Sequence, residues 1–278
     1  TRLRTVTGVQ TCALPIYGKP FNIRVTDLFE EVDEEHAKRE AELGVPSSKK
    51  HAAVPSLPEV GCAVVAVSSG SGLDELFSQM GVHGVITGGQ TMNPSTQELL
   101  DAVEHMNSRQ VIILPNNKNI IPVANQINEL TKKTVAVVPT CSMPEALAAL
   151  VFYDPEGTAE ANAAAMTDAA QAVATGEVTQ AVRDTKTDAG AVKSGDWIGL
   201  VRGDGVVAIG DSMVAASTAL LEHLIAPGRE LLTVITGDLA TARATEEIEA
   251  FLTERYPDVE IEVHAGGQPL YPYLFGVE

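Results

Sequence analysis

Four short polar segments of the sequence hold most of the side chains that could recognise a ligand. Each combines glycine, hydroxyl or carboxamide residues, and they span Ser68–Gly72, Gly88–Asn93, Asn116–Asn119 and Thr140–Ser142. Glycine lets a ligand approach the backbone closely, while Ser, Thr, Asn and Gln supply neutral hydrogen-bond donors and acceptors. These residue types favour recognition of a polar or anionic group over the making of bonds. The candidate ligand-binding residues are Ser69, Gly70, Gly72, Gln90, Thr91, Asn93, Ser95, Asn116, Asn117, Lys118 and Asn119.

The same residues have a second interpretation as turn formers and helix caps. Ser95, Asn119 and Ser142 can each cap a helix without any ligand. Lys118 is the fixed cation of these segments and could meet a carboxylate or phosphate, but it also fits an ordinary solvated loop lysine. A ligand site is favoured slightly because the side-chain amides exceed what capping requires; they belong to Gln90, Asn93, Asn116, Asn117 and Asn119.

The polar segments follow four apolar runs that are rich in β-branched residues. These runs occupy 62–67, 84–87, 110–115 and 134–139. Strands that are apolar on both faces, separated by amphipathic stretches, predict a parallel α/β sheet covered by helices on both sides. The carboxyl ends of parallel strands share one edge, so the polar segments should meet there and form a pocket.

Several helix starts can be predicted from capping residues. Ser95 with Glu98 and Ser142 with Glu145 both match the capping box, in which a serine and a glutamate satisfy each other's backbone amides. Asn93 before Pro94 offers an alternative cap.

The sequence after residue 155 predicts a second, mixed α/β unit. An alanine-rich helix should run from Thr158 to Thr175 and end at Gly176. Gly203, Asp204 and Gly205 predict a hairpin between strands at 197–202 and 206–210. The remaining elements should be helices at 212–225 and 239–255 and strands at 231–236, 259–265 and about 273–277.

The chain divides into five predicted segments. Residues 6–16 resemble a translated sequencing-library adapter, so residues 1–16 are expected to be an artefact. Residues 17–43 read as the remnant of a preceding domain and 44–59 as a linker rich in Pro and Ser. The two α/β units should then occupy 60–155 and 156–278.

Composition excludes several functional classes. The formal charge is −18, with no basic track for phosphates, so nucleic acid is not an expected partner. The apolar runs are too short for an integral membrane segment. Three cysteines form no paired or metal-binding pattern, and no export signal is visible, which predicts a soluble cytoplasmic protein.

Catalytic motifs are also missing from the sequence. Gly70-Ser71-Gly72 opens like a dinucleotide fingerprint, but Glu75 stands at the third glycine position. No phosphate-binding loop of the Walker type occurs, and the six histidines show no metal-ligand spacing. Ser69 and Cys141 have no assignable base, so they are weak candidates for a nucleophile. No catalytic residue, metal ligand or cofactor site is therefore predicted on this chain.

Four sequence segments closely resemble the carboxy-terminal region of the fatty acid kinase A family, which is related to the dihydroxyacetone kinases. They are GSGL at 70–73, GGQTMNPST at 88–96, LPNNKN at 114–119 and GGQPLYPYLFGVE at 266–278. The resemblance extends over nearly everything from Tyr17 onward. It implies a parent protein with an amino-terminal kinase lobe, which would hold ATP and magnesium, a middle domain and this region.

The resemblance implies a partner and a role. The family's partner is an acyl-binding B subunit that presents a fatty acid for phosphorylation in lipid metabolism, and a homodimer could form through the parent protein. The first hypothesis is accordingly a non-catalytic docking and regulatory region, inactive by itself. The second is a small-molecule module that binds a carboxylate or acyl ligand, and the third is a phosphotransferase similar to dihydroxyacetone kinase. The family's binding candidates map onto Gly70, Gly72, Gly88–Ser95 and Asn116–Asn119.

Overall fold

The computed structural model describes residues 59–87 and 93–278. The segments predicted at 1–16 and 17–43 and nearly all of the predicted linker at 44–59 lie outside the described residues. Residues 88–92, and with them the candidates Gln90 and Thr91, also lie outside. Within the described part, no helix is long and apolar enough to cross a membrane.

The predicted parallel sheet is confirmed. Its strands are β1 (Cys62–Ser68), β2 (Gly84–Thr87), β3 (Gln110–Leu114) and β4 (Thr134–Val137). They pair in the order β2-β1-β3-β4, and all three pairings are parallel. Alternate residues of β1 point to opposite faces, and both faces are buried, which explains the continuous apolar run.

Five helices accompany this first sheet. They are α1 (Ser71–Gln79), α2 (Thr96–His105), α3 (Ile121–Leu130), α4 (Met143–Val151) and α5 (Ala159–Ala172). Residues of α2 and α3 pack on one face of the sheet, and residues of α1, α4 and α5 pack on the other. The sheet is thus covered by helices on both sides, as predicted.

The rest of the chain forms a second sheet, a small separate hairpin and two helices. The strands are β5 (Ala174–Gln180), β6 (Thr185–Thr187), β7 (Gly190–Val192), β8 (Trp197–Val201), β9 (Gly205–Gly210), β10 (Leu231–Thr236), β11 (Glu260–Ala265) and β12 (Tyr273–Val277). The helices are α6 (Met213–Leu224) and α7 (Ala242–Arg255), which cover the outer face of the second sheet.

The second sheet is mixed, as predicted, with strand order β11-β10-β12-β5-β8-β9. Its β10–β11 pair is parallel and joined by α7, whereas β8 and β9 form the predicted antiparallel hairpin. Strands β6 and β7 pair only with each other. This small hairpin was not predicted, since it has no apolar run.

The two sheets share one hydrophobic core. Strand β12 directs Tyr273 and Phe275 toward α6 and α7, whereas Leu274 between them joins the core of the first sheet. Ile235 on β10 joins that same core. Alternate side chains of β10 and β12 thus face the core shared with the first sheet and the core under α6 and α7. The shared core also contains residues of α1, α4 and α5, so these helices lie between the sheets.

The predicted helix at 158–175 is wrong at its carboxyl end. It ends at Ala172, and Val173 already has an extended backbone. Gly176 lies inside β5, where a Cβ atom would be 2.6 Å from Leu224 Cδ1. The glycine is therefore needed for close helix-on-sheet packing and does not stop a helix.

The capping predictions have mixed outcomes. Ser95 and Glu98 form the complete capping box, and its hydrogen bonds hold the pKa of Glu98 below its usual range. The Ser142 hydroxyl accepts a hydrogen bond from the Glu145 amide, but the Glu145 carboxylate binds the Cys141 amide instead of returning to Ser142. Asn93 and Asn119 are not the caps, because Ser95 precedes α2 and Ile120 precedes α3.

Candidate functional site

The loops after β1, β3 and β4 meet at one edge of the first sheet, as predicted, and Asn116 joins them. Its amide nitrogen donates to the Val67 carbonyl at 2.8 Å, and its Oδ1 accepts from the Thr140 hydroxyl at 2.7 Å. Asn116 is buried and has a positive φ of 56°, a conformation that asparagine tolerates better than most residues. Its side chain therefore holds the edge together.

The turn that follows Asn116 presents its side chains to a cavity. Asn117 Oδ1 accepts from the Asn119 amide at 2.9 Å, which closes an Asx-type turn before α3. Asn117, Lys118 and Asn119 all line the cavity. The Asn117 oxygen is thus engaged in the turn, while its amide nitrogen remains a potential donor to a ligand.

The glycine-rich turn after β1 has a different environment. A Cβ atom on Gly72 would lie 1.9 Å from the Ala265 carbonyl oxygen, and one on Gly70 would lie 2.3 Å from the Gly266 oxygen. The Leu73 amide donates to that same Gly266 oxygen at 3.0 Å. These glycines therefore let α1 pack directly against the loop after β11.

A cavity of about 300 Å³ lies between the rim of the first sheet and the second sheet. One wall is made of strand-end residues of the first sheet, and the opposite wall comes from β5, β8 and the loops beside β9 and β12. The lining is mostly polar and includes two cations and one acid. Its residues are Asn117, Lys118, Asn119, Cys141, Ser142, Thr175, Glu177, Leu200, Val201, Arg202, Gly205 and Tyr271.

A smaller cavity of about 90 Å³ adjoins the first and is more apolar. It shares five lining residues with its neighbour, namely Asn117, Cys141, Ser142, Glu177 and Tyr271. Ser69, Ile120, Met143 and Leu274 also line it. We refer to the two cavities together as the inter-sheet cleft.

An ion pair crosses the inter-sheet cleft. Arg202, directly after β8, places Nη1 3.1 Å from Oε1 of Glu145 near the start of α4. The Glu145 side chain is 2% exposed, whereas Arg202 is half exposed. Glu145 Oε2 also accepts from the Cys141 amide at 2.8 Å. The positive end of α4 and the Arg202 guanidinium are thus both neutralised by an acid of the protein itself.

Glu177 on β5 and Tyr271 in the loop before β12 line the cleft from the side of the second sheet. Burial raises the pKa of Glu177, the charge of Glu145 raises it further, and Lys118 partly opposes the shift. Burial and then the charge of Glu177 raise the pKa of Tyr271. Perturbed titratable groups that face a cleft are characteristic of ligand sites, although structural networks also produce them.

The structure brings together part of the predicted site. Ser69 and Asn116 to Asn119 line the cleft. Gly70 and Gly72 serve helix packing, and Ser95 caps α2. Asn93 is exposed and lies two residues before that cap. A ligand-binding role for these residues stays a prediction.

The polar residues that the second sheet contributes to the cleft are absent from the set predicted by sequence; they are Thr175, Glu177, Arg202 and Tyr271. All belong to the second sheet or its loops. A weak signal exists for Glu177, because a lone acid in the strand sequence ATGEVTQ breaks the pattern of an otherwise uncharged strand. No pattern indicates that this sheet faces the first sheet's rim.

The cleft contains recognition groups of several kinds. Lys118 and Arg202 are cationic, Glu177 is acidic, and amides and hydroxyls surround them. Among the residues that the structure describes, no group of three His, Cys, Asp or Glu side chains is arranged to hold a metal ion. Groups of these kinds can form hydrogen bonds and ion pairs with a small polar molecule.

Solved structures share this two-sheet fold. A DegV family protein from Corynebacterium glutamicum matches 78% of this chain and 96% of its own, with a TM-score of 0.58 and 14% identity. The Streptococcus pneumoniae fatty acid kinase B3 protein, solved with linoleic acid, matches 78% of this chain and 99% of its own, with a TM-score of 0.52 and 10% identity. The dihydroxyacetone kinase of C. freundii matches 78% of this chain and 48% of its own, with a TM-score of 0.50 and 14% identity. At these identities the likeness defines the fold class alone.

Sequence similarity then assigns the family. Residues 63–278 match the C-terminal region of the fatty acid kinase A-like proteins, and the chain belongs to that family. An uncharacterised protein of Staphylococcus aureus strain USA300 is 38% identical over 262 residues, which cover 94% of this chain and 46% of that protein. The chain therefore spans about half the length of the curated relatives it matches.

Proposed function

We propose that this chain is a non-catalytic docking and regulatory region of a fatty acid kinase A-type protein, which recognises a fatty-acid-binding B subunit. Its family membership and the relatives' greater length support a division of labour in which another part of the parent protein transfers the phosphoryl group. On this proposal ATP and magnesium belong to that other part.

The inter-sheet cleft is the observation that carries the proposal. Its lining of amides, hydroxyls and opposed charges is suited to recognising a surface or ligand. Phosphoryl transfer needs a cradle for the phosphates and charges that stabilise the transferring group. Of the two cations that line the cleft, Arg202 is already engaged by Glu145.

Binding calorimetry tests the docking role. The 278-residue chain is titrated with the cognate B subunit loaded with fatty acid, and saturable binding is expected. The parent protein serves as the positive control. If the parent binds and this chain does not bind at high micromolar concentration, docking does not belong to this region.

An ATP-consumption assay tests the non-catalytic part of the proposal. The purified chain is incubated with ATP, magnesium and fatty-acid-loaded B subunit. It should consume ATP no faster than the Lys118→Ala variant does. Turnover that is lost in this variant would instead support a phosphotransferase similar to dihydroxyacetone kinase.

A second candidate function is the binding of a small carboxylate ligand in the cleft. Lys118 favours it, because this cation lines the cavity and forms no ion pair with another described residue. The likeness to a fatty acid kinase B3 protein solved with linoleic acid supports an acid as the ligand class. The cavity is at the small end of the usual range for ligand pockets, so a short acid fits it better than a long acyl chain.

Thermal shift measurements test this second candidate. Short-chain carboxylates should raise the melting temperature of the wild-type chain and not that of Asn117→Ala or Lys118→Ala. Lys186→Ala removes an exposed lysine on β6 and is the matched control. Equal stabilisation of all four proteins would exclude the cleft as the binding site.

A further inference from the structure

Glu177 is a carboxyl group without a hydrogen-bond partner among the described residues. It lies in the middle of β5, paired in register with Leu200 of β8 and Leu274 of β12. It lines both cavities of the inter-sheet cleft. Burial and the charge of Glu145 raise the pKa of this carboxyl and the charge of Lys118 lowers it, but neither charged residue forms an ion pair with it in the described structure. A partly buried acid in this position is left to interact with whatever enters the cleft.

Lys118 faces the same cavity from the other sheet. Its charge lowers the pKa of Glu177, but the two side chains form no direct ion pair within the described structure. The ammonium and carboxyl groups therefore line one cavity without pairing with each other. Such an arrangement matches a ligand with an anionic group at one end and a donor at the other.

The other positive features of the cleft are already engaged in part by an acid of the protein itself. Glu145 occupies both Arg202 and the Cys141 amide at the start of α4. The Glu145 amide donates to the Ser142 hydroxyl. An anionic ligand group is therefore directed to Lys118 and to the amide nitrogen of Asn117.

Tyr271 supplements Glu177 on the second wall. Its side chain lines both cavities, and the negative charge of Glu177 contributes to its raised pKa, so the two groups are close enough to interact. A phenol that stays protonated can donate to a ligand oxygen or accept from a ligand hydroxyl. A donor group of the ligand can therefore donate to the Glu177 carboxylate and form a second hydrogen bond with the Tyr271 hydroxyl.

We propose that the inter-sheet cleft binds a short organic acid that also carries a hydroxyl or ammonium group. Lys118 and Asn117 hold the acid, and Glu177 with Tyr271 holds the donor group. The inference deepens the second candidate function and rests on it. It makes Glu177 the residue that determines specificity, because a plain fatty acid of the same length would leave this carboxyl unsatisfied.

Four matched probes test the inference with the 278-residue chain. The probes are 3-hydroxybutyrate, 4-aminobutyrate, butyrate and 1,3-butanediol, and affinities are measured by chemical-shift titration. At least one of the two acids with a donor group should bind about 10-fold more tightly than butyrate, as expected for one added hydrogen bond to a charged group. The diol, which lacks a carboxylate, should bind more weakly than 3-hydroxybutyrate and 4-aminobutyrate.

Variants at Glu177 distinguish the two kinds of donor. Glu177→Leu should bring the preferred acid down to the affinity of butyrate. Glu177→Gln is the conservative variant, to be used if the leucine variant does not fold. It should retain any preference for 3-hydroxybutyrate over butyrate and lose any preference for 4-aminobutyrate over butyrate. Lys118→Ala should weaken all three acids, while Lys186→Ala leaves them unchanged.

The outcomes separate this inference from the functions proposed above. Equal binding of butyrate and the two substituted acids would overturn the inference and leave the carboxylate site standing. Absence of binding by every acid would overturn both, whereas docking of the B subunit is judged by its own calorimetric test. A preference that persists in Glu177→Leu would also overturn the assignment of Glu177.

Discussion

Two turns at the same edge of the first sheet look alike in sequence and serve different purposes. The turn at 69–72 follows β1 and packs so tightly on the loop after β11 that its glycines have no room for a side chain. The turn at 117–119 follows β3 and lines the inter-sheet cleft. Small polar residues after a parallel strand therefore indicate an edge, but not whether that edge meets a ligand or another part of the protein.

The largest expected effect is at Gly72. A Cβ atom there would meet the Ala265 carbonyl oxygen at 1.9 Å, and backbone cannot yield as a flexible side chain can. Gly72→Ala should destabilise the protein by roughly 4 kcal/mol or more, measured by chemical denaturation. Gly81→Ala, which introduces strain at a positive φ without any close contact, should cost only about 1–2 kcal/mol. Similar losses in both variants would contradict a packing role for the turn.

The next largest effect is expected at Asn116, whose side chain is hydrogen-bonded to Val67 on β1 and to Thr140 after β4. Asn116→Ala removes the hydrogen bonds to Val67 and Thr140 and places alanine at a positive φ, so a loss of roughly 3 kcal/mol is expected. Asn116→Gly removes the same bonds but tolerates the backbone, and should be less damaging by about 1 kcal/mol. If the alanine variant unfolds at the wild-type denaturant concentration, the asparagine does not hold the rim together.

A smaller effect is expected at Asn117, within the turn that lines the cleft. Its side chain contributes to the fold through the hydrogen bond from the Asn119 amide, so Asn117→Ala should cost about 1 kcal/mol of stability in the same denaturation experiment. Loss of affinity for a short carboxylate should be the more conspicuous result. A loss of stability as large as that at Gly72 would remove the distinction between the two turns.

The smallest effect should be a gain of stability at Glu177. Its raised pKa means that the folded protein binds the proton more tightly than the unfolded chain does. This contribution is fully present below the ordinary glutamate pKa of about 4.3 and is lost as pH rises through the higher value of the folded protein. Glu177→Gln should therefore melt above wild type at neutral pH and close to it near pH 4, as measured by calorimetry.

Glu129→Gln is the matched control for this pH dependence, because Glu129 is exposed on α3. It should follow the wild-type profile throughout. A Glu177→Gln protein that is less stable than wild type at neutral pH would show that the carboxylate is satisfied in the fold, and would weaken its assignment to a ligand.

Most of the fold could be predicted because its strands are marked by composition. The β-branched runs of β1, β3 and β10 are apolar on both faces and have few alternative structures. The sequence predicts a helix over the first two residues of β5, because ATGEVTQ follows an alanine-rich segment and lacks such a run. Its strand conformation is imposed by neighbours on both sides, β8 and β12, which are distant in sequence.

The candidate site could be predicted on one side alone. The rule that parallel strands end at a common edge predicts that the segments at 116–119 and 140–142 lie together, and the hydrogen bonds between Asn116 and Thr140 show this contact. The opposite wall, with Glu177 and Arg202, depends on how the second sheet packs against the first. That packing follows from shape and from the shared core, which leave no local pattern in the sequence.

The order of the strands in the second sheet has a consequence for biosynthesis. Residues 273–277 lie between β10 and β5, whose sequences are translated earlier. Until β12 has left the ribosome, those two strands expose unpaired edges, and the core that Leu274 completes stays open. The second sheet can therefore reach its final strand order only after residues 273–277 have been synthesised.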